Sequence, residues 1–174
     1  MFDNDYTING KHATYIKYLV NEAKVFTRYI DVYMNAAVLG FLHGRQEKKD
    51  SASQDRARIY ADAFANERLY CDFIYRMIML LDDTSNLTAT QQVDRAFRND
   101  SKKANEEDKA IHIQNLDLFN AYVLGGIEEL YEQFSGGSTN RVDYINKIFD
   151  ITTSFKEEIE GIDYDSKLIE LVTV

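Results

Sequence analysis

The sequence predicts an all-α fold, an antiparallel up-down bundle of about five helices in one domain spanning residues 1–174. The chain contains no proline, so few positions force a helix to end. Apolar and small residues recur at alternating spacings of three and four, which places their side chains on one helix face. A chain of 174 residues is also long enough to bury a core without disulfides or metals.

The first predicted helix runs from about Lys11 to Leu42. Its apolar or small positions repeat without a break at Ile16, Leu19, Ala23, Phe26, Ile30, Tyr33, Ala37 and Gly40. This stripe is longer than one neighbouring helix of a compact monomer covers, and small residues at its end permit close approach of another backbone. We therefore predict a homodimer or a hetero-complex, with Ala36, Ala37 and Gly40 as the residues that contact a second copy of the chain.

The second predicted helix begins at Ser51, where Gln54 stands three residues on, at the spacing of a capping box. Its inward stripe contains Glu67 as the one polar residue and consists of Tyr60, Ala63, Glu67, Tyr70, Ile74, Met77 and Leu81. A short third helix is predicted from Thr88 to Arg98, with Gln91 completing another capping box.

Two further helices complete the predicted bundle. The fourth runs from about Ser101 to Phe134 and buries Leu116, Phe119, Val123, Gly126, Leu130 and either Phe134 or Gln133. The fifth spans roughly Asn140 to Glu160, with Gly161 as its expected end and with Ile145, Ile148, Thr152, Phe155 and Ile159 facing inward.

The segments between these helices are short and polar. Asn9 and Gly10 predict a lead-in turn before the first helix, residues 43–50 a polar loop, and residues 135–138 a loop rich in Gly and Ser. The pattern Asn-Ala-x-Val-Leu-Gly occurs at 35–40 and again at 120–125. Either a duplicated helical hairpin or a shared helix-core composition explains this internal echo.

The composition restricts the cellular setting. Cys71 is the only cysteine, so an intramolecular disulfide framework is excluded and a buried thiol is expected. The sequence begins without a basic segment followed by an apolar one, and its apolar runs are too short to cross a bilayer, so we predict a cytoplasmic protein. The net charge of −9 opposes non-specific attachment to nucleic acid or to an anionic membrane.

Motifs for nucleophilic or cofactor chemistry are absent from the sequence. None of the three histidines, His12, His43 and His112, follows a glutamate by three residues, as the carboxylate-bridged di-iron bundles require. The chain has no phosphate-binding glycine loop, no Gly-x-Ser-x-Gly segment and no zinc spacing. We therefore expect no metal and no cofactor.

Acidic residues in the C-terminal third are the strongest candidates for chemistry. Residues 128–132 read Glu-Glu-Leu-Tyr-Glu, and residues 160–163 read Glu-Gly-Ile-Asp. These segments resemble the Glu-Glu-x-x-Glu and Glu-x-x-Asp motifs of the all-α nucleoside triphosphate pyrophosphohydrolases of the MazG kind. The resemblance implies that one cleft with a divalent cation collects Glu128, Glu129, Glu132, Glu160 and Asp163. A solvated acidic helix face is the other interpretation.

Basic residues concentrate in two segments, around the loop after the first helix and the loop before the fourth. An up-down bundle places both loops at one end, which predicts a pole that binds an anion or an acidic partner. The residues concerned are Arg45, Lys48, Lys49, Arg56, Arg58, Arg98, Lys102 and Lys103. Charges that only keep the loops soluble are the other interpretation.

The aromatic content favours a binding role over an enzymatic one. The chain contains 12 Tyr and 10 Phe but no Trp, and tyrosine supplies interface area at low entropic cost. We expect a non-enzymatic helical adaptor or regulatory subunit that binds a protein partner or a second copy of itself. The alternatives are the metal-dependent pyrophosphohydrolase and an acidic decoy that mimics nucleic acid by spacing carboxylates along its surface.

Overall fold

The computed structural model describes residues 2–50, 52–98, 106–136 and 140–160. These residues are mostly helical, which confirms the all-α class, although the arrangement as five up-down helices is not confirmed. The helices are α1 (Lys11–Lys17), α2 (Tyr29–Leu42), α3 (Ala61–Asn66), α4 (Arg68–Leu81), α5 (Ala89–Phe97), α6 (Glu106–Ser135) and α7 (Arg141–Glu160). Two short strands, β1 (Tyr6–Asn9) and β2 (Arg56–Ile59), pair antiparallel. The chain divides into two compact units, residues 1–135 and 136–174.

The first predicted helix is interrupted rather than continuous. A π-helical turn, Tyr18–Glu22, follows α1, and Lys24 then adopts a left-handed backbone with φ of 53°. Helix α2 begins after this break, where Arg28 and Asp31 form a capping box. The predicted stripe nevertheless stays buried on both sides of the break, at Ile16, Leu19, Ala23, Ile30, Tyr33, Ala37 and Gly40. The spacing therefore identified the inward residues correctly but not the backbone that carries them.

The segments around residues 6–9 and 52–59 form a small sheet, which corrects two predictions. Tyr6 lies opposite Ile59 and Asn9 lies opposite Arg56, so the lead-in turn is preceded by a paired strand. Residues 52–59 do not continue a helix from a cap at Ser51, which itself lies outside the described residues. Asp50 instead accepts a hydrogen bond from the backbone N–H of Lys11 at 2.8 Å and thereby caps α1.

Helix α4 buries the opposite face from the one predicted. Tyr60, Tyr70, Met77 and Leu81 of the expected stripe are exposed, and the buried side chains are Phe64, Cys71, Tyr75, Ile78 and Met79. Both sets fit the helical period, one on each side of the helix, so periodicity alone does not distinguish them. The second set faces the core because Phe64 and Tyr75 complete an aromatic cluster with Phe2, Tyr33 and Phe119. Glu67 lies beside Arg28, with 2.8 Å between carboxylate and guanidinium.

The closest helix packing lies between α2 and α6. A Cβ on Gly40 would come 2.1 Å from the carbonyl oxygen of Tyr122, and one on Gly126 would come 1.9 Å from that of Ala36. Ala36 comes before Gly40 along α2, but its partner Gly126 comes after Tyr122, the partner of Gly40, along α6. The two helices therefore run antiparallel. Ala36 and Gly40 belong to the first copy of the internal echo and Tyr122 to the second, while Gly126 directly follows the second copy.

The interface predicted for a second copy is corrected by this packing. Ala36, Ala37 and Gly40 are buried, and the backbone that approaches them belongs to α6 of the same chain. The small residues therefore had the predicted use, close approach of a helix backbone, but the neighbour is intramolecular. A second copy of the chain has no access to them in this fold.

The remaining predicted helices have the expected bounds within one or two residues where the structure describes them. Helix α5 begins at the predicted capping box, in which the hydroxyl of Thr88 accepts from the backbone of Gln91. Helix α6 buries the predicted stripe at Phe119, Val123, Gly126, Leu130 and Phe134, with Leu116 half-buried. The second unit contains α7, where Asn140 accepts from the backbone of Val142 and Asp143. Gly161 and the residues after it lie outside the described part.

A buried ion pair fastens the end of α4 to α5 and α6. Arg95 donates to the carbonyl oxygens of Met79 and Asp82 and to the carboxylate of Asp82, at 2.6 to 3.1 Å. Tyr122 donates to the other oxygen of Asp82 at 2.6 Å. Burial alone would raise the pKa of Asp82, but the hydrogen bonds from Tyr122, Thr84 and Arg95 outweigh it and lower that pKa. Arg95 is thus a core residue.

None of the helices in the described ranges combines the length and the low charge needed to span a membrane.

We predict that Gly126→Ala destabilises the fold by about 1–3 kcal/mol or more, because its new Cβ meets the backbone of Ala36. In an open helical position the same change would stabilise by about 1 kcal/mol. Denaturant titration measures the difference. Gly44→Ala is the control, since a Cβ there meets nothing within 4 Å and only its φ of 62° opposes the substitution. A stability equal to wild type in Gly126→Ala would contradict the close packing.

We predict that Asp82→Asn costs about 3–5 kcal/mol at neutral pH, because it leaves the buried Arg95 without its carboxylate. Since the folded pKa of Asp82 lies below the unfolded value of about 3.9, its contribution is present above that pH and is lost as the pH falls through the folded pKa. The variant should therefore lose less stability than wild type below about pH 4. Thermal unfolding across pH measures both effects.

The matched control is Asp94→Asn, which removes the exposed ion pair between Asp94 of α5 and Arg98, the residue that follows this helix. Its expected cost is about 0.5 kcal/mol or less. Equal losses in the two variants would show that the Asp82 pair is not the anchor described above.

Candidate functional site

The segment after α2 crosses α6 at a glycine. A Cβ on Gly125 would lie 2.1 Å from the carbonyl oxygen of Arg45, so only glycine lets the two backbones touch there. The backbone N–H of Glu47 donates to the carbonyl of Ala121 at 2.9 Å. These contacts hold residues 43–50 against the C-terminal half of α6, where the predicted glutamates lie.

Three glutamates of α6 each face a basic side chain from another part of the chain. Lys11 donates to both carboxylate oxygens of Glu128, at 2.9 and 3.2 Å. His43 lies against Glu129 through a short contact between its Nδ1 and the carboxylate. Arg45 donates two parallel hydrogen bonds of 2.5 and 2.6 Å to the carboxylate of Glu132, which is the bidentate geometry of a strong ion pair. The same row of acids that spacing identified is therefore an ion-paired row.

The ion pairs set the electrostatics of this row. The hydrogen bond from Arg45 lowers the pKa of Glu132. The hydrogen bond to Glu128 raises the pKa of Lys11, which keeps that ammonium charged. Arg45 thus stabilises the ionised form of Glu132, and Glu128 stabilises the charged form of Lys11.

His12 lies beneath this row and is fully buried, with 0% of its surface exposed. Neither ring nitrogen has a hydrogen-bond partner among the described residues. Nε2 lies 3.9 Å from a carboxylate oxygen of Glu128. Burial, reinforced by the neighbouring Lys11, lowers the pKa of His12 against the opposing effect of the nearby glutamates. The imidazole is therefore neutral near pH 7, with a lone pair available.

His12, Glu47 and Glu128 are the group of side chains in the described residues that could hold a metal ion. One potential ligand atom from each lies within 4.8 Å of the other two. Lys11 reaches the same place, since its ammonium also lies 3.7 Å from the carboxylate of Glu47. We call these four residues the His12 cluster.

The predicted convergence of Glu160 and Asp163 with these acids stays a prediction. Glu160 belongs to the second unit, which is described separately, and Asp163 lies outside the described residues. The convergence that the pyrophosphohydrolase resemblance requires is therefore supported only for the three glutamates of α6.

Four of the eight predicted basic residues are paired with acids. Beyond Arg45, the pairs are Lys49 with Asp117, Arg58 with Asp5 and Arg98 with Asp94. Lys48 and Arg56 are exposed and form no ion pair with a described residue. Lys102 and Lys103 lie outside the described residues, so the predicted meeting of two basic loops at one end stays a prediction.

No protein family, curated protein or solved structure matches this chain. The His12 cluster is therefore interpreted from its own chemistry.

Sequence reasoning missed His12 as a site residue. Its partners Glu47 and Glu128 lie far away in the chain, on a loop and on another helix, and no spacing rule joins such positions. Only the crossing of α6 at Gly125 brings them together.

The single thiol offers no nucleophile in the folded protein. Cys71 is buried in α4, which confirms the expectation from the sequence. Burial, with the nearby charges of Asp72 and Glu67, raises the pKa of Cys71 to about 12.

We predict that Cys71 resists alkylation in the folded protein, because the thiol is both inaccessible and protonated at pH 8. Labelling with iodoacetamide, followed by mass spectrometry, should be at least about 100-fold slower in native buffer than in denaturant. Stoichiometric labelling at equal rates in both conditions would contradict the packing of α4.

Proposed function

We propose that this protein is a non-enzymatic interaction subunit whose contact surface is the outer face of α4, and that the occupant of this face is a second copy of the chain. The observation that carries the proposal is the exposure of large apolar side chains on one side of that helix. Leu69 is 84% exposed and Phe73 is 64% exposed. Tyr70, Met77 and Leu81 share this side of the helix.

The spacing of these residues supports helix-on-helix contact. Leu69, Phe73, Met77 and Leu81 are separated by one helical turn each, so they form a continuous ridge. Helix α4 has 14 residues and a length of about 21 Å. Aromatic and methionine side chains are the types that interface cores favour. A ridge of this kind is buried when another helix packs along it.

The local charge supports a second copy as the occupant. The chain carries a net charge of −9, but the charges flanking the ridge are balanced, with Glu67 and Asp72 against Arg68 and Arg76. A symmetric dimer brings the same patch together with itself, so any net charge there would be doubled. The balance removes that repulsion.

The pairing of the acids supports this function over the pyrophosphohydrolase. Lys11, His43 and Arg45 already oppose the three glutamates of α6. With Mg²⁺ or Mn²⁺ and a panel of nucleoside triphosphates, we expect no pyrophosphate release above background. Turnover that disappears in Glu129→Gln would replace our proposal with the hydrolase.

The acidic decoy has less support. The described acids near α6 are neutralised by bases rather than left free along a surface. A cytoplasmic location remains part of the proposal and rests on the single cysteine, which leaves no partner for an intramolecular disulfide.

The proposal predicts that Phe73→Glu dissociates a homodimer, because a carboxylate would be buried in the centre of the contact. We expect the dimer to weaken by about 2 kcal/mol or more, roughly 30-fold in Kd. Sedimentation equilibrium of the full chain over a range of concentrations measures the effect. Circular dichroism should stay unchanged, since Phe73 contributes little to the monomer core.

Leu42→Glu is the control, since Leu42 is also an exposed apolar residue but belongs to α2. It should leave the dimer intact. A strict monomer for the wild-type chain, or equal weakening by both substitutions, would refute the assignment of the surface to α4.

A further inference from the structure

The buried imidazole of His12 is the polar group that the fold leaves unexplained. Buried polar atoms are almost always hydrogen bonded, and those that are not mark a strained, functional or ligand-binding position. Both nitrogens of His12 lack a hydrogen-bond partner among the described residues, while one of them faces the carboxylate of Glu128 across 3.9 Å. That gap is too long for a hydrogen bond, but it is wide enough to admit an atom that binds both groups.

From this arrangement we propose that His12, Glu47 and Glu128 form a binding site for a divalent first-row transition metal ion, with Zn²⁺ as the ion that fits best. The site is independent of the proposed contact on α4.

The donor set selects the class of metal. One neutral imidazole nitrogen and two carboxylate oxygens match zinc, which takes four nitrogen, oxygen or sulfur ligands. Magnesium and calcium prefer oxygen ligands alone and would leave His12 unused. Three protein ligands leave one tetrahedral position open to water.

In the ion-free arrangement, the positive charge next to the two carboxylates is the ammonium of Lys11. Its ammonium lies 2.9 Å from Glu128 and 3.7 Å from Glu47, so one positive charge neutralises part of the two negative ones. A divalent ion that displaced it would balance both carboxylates with no charge left over. Lys11 is partly exposed, so its flexible side chain can move into water.

The geometry requires only a small contraction. The three ligand atoms lie within 4.8 Å of one another. Zinc bonds of about 2.0–2.2 Å in a tetrahedron place neighbouring ligand atoms about 3.3–3.6 Å apart. The side chain of Glu47 is partly exposed and can supply this movement, while its backbone stays fixed on Ala121. The cluster can therefore close around an ion once the ammonium leaves.

The test is calorimetric titration of the metal-free full chain with ZnCl₂. We expect about one ion per chain and a higher melting temperature in the loaded protein, because an ion that binds only the folded state stabilises it. Glu47→Gln removes a partly exposed ligand without disturbing the core and should weaken binding at least about tenfold. His12→Asn should do the same, and circular dichroism shows whether that variant is folded.

Lys11→Met is the discriminating variant. If the ammonium competes with the metal, its removal tightens Zn²⁺ binding by about tenfold or more; if the cluster is only an ion pair, removal lowers stability and leaves Zn²⁺ binding unchanged. Lys17→Met is the matched control, since Lys17 also belongs to α1 but pairs with Asp55 away from the cluster. Glu22→Gln controls for loss of an exposed carboxylate.

Three results would overturn the proposal. One is the absence of Zn²⁺ binding to the wild-type chain. Another is binding that Glu47→Gln leaves unchanged, which would place the ion elsewhere, for example at His43 and Glu129. The third is a Lys11→Met variant that binds no more tightly than Lys17→Met.

Discussion

The backbone contact between α2 and α6 is the constraint on which the rest of this fold depends. Gly40 and Gly126 have no side chain, so each helix touches a carbonyl of the other. Because the helices are this close, Tyr33 reaches Asn120 with a buried hydrogen bond of 3.0 Å, and the segment after α2 lies directly on α6. That segment crosses α6 at Gly125 and carries Glu47 to Glu128, so the His12 cluster depends on this close packing at glycines.

The parts of the fold that the sequence predicted are those decided by neighbouring residues. The cap at Thr88 and the buried stripe of α6 need only local spacing to be recognised. The break before α2 was not predicted, because the inward residues keep their order across it and only the backbone of Lys24 reveals it. Helix α4 was assigned the wrong face because it has two apolar stripes, and the choice between them is made by the aromatic cluster around Tyr33.

The candidate site divides in the same way. The glutamates of α6 lie on one face because residues at spacings of three and four must do so, and the sequence identified them for that reason. Their partners were not predictable, because Lys11, His43 and Arg45 come from segments that only tertiary packing places there. His12 was dismissed for lack of a nearby glutamate in sequence, although its two carboxylate neighbours come from distant segments. Four of the eight predicted basic residues form ion pairs with acids, so their number overstated the free positive charge.

The capping of α1 by Asp50 bears on the order in which the chain is assembled. A helix usually obtains its cap from the residue just before it, but here Gly10 has no side chain and the carboxylate comes from 39 residues downstream. The same stretch returns as β2 to pair with β1. During synthesis the first helix leaves the ribosome well before its cap and its strand partner exist. The hydrogen bonds at the amino-terminal end of α1 therefore form only when a long loop closes. The first residues of the chain become ordered only after the later segment has folded against them.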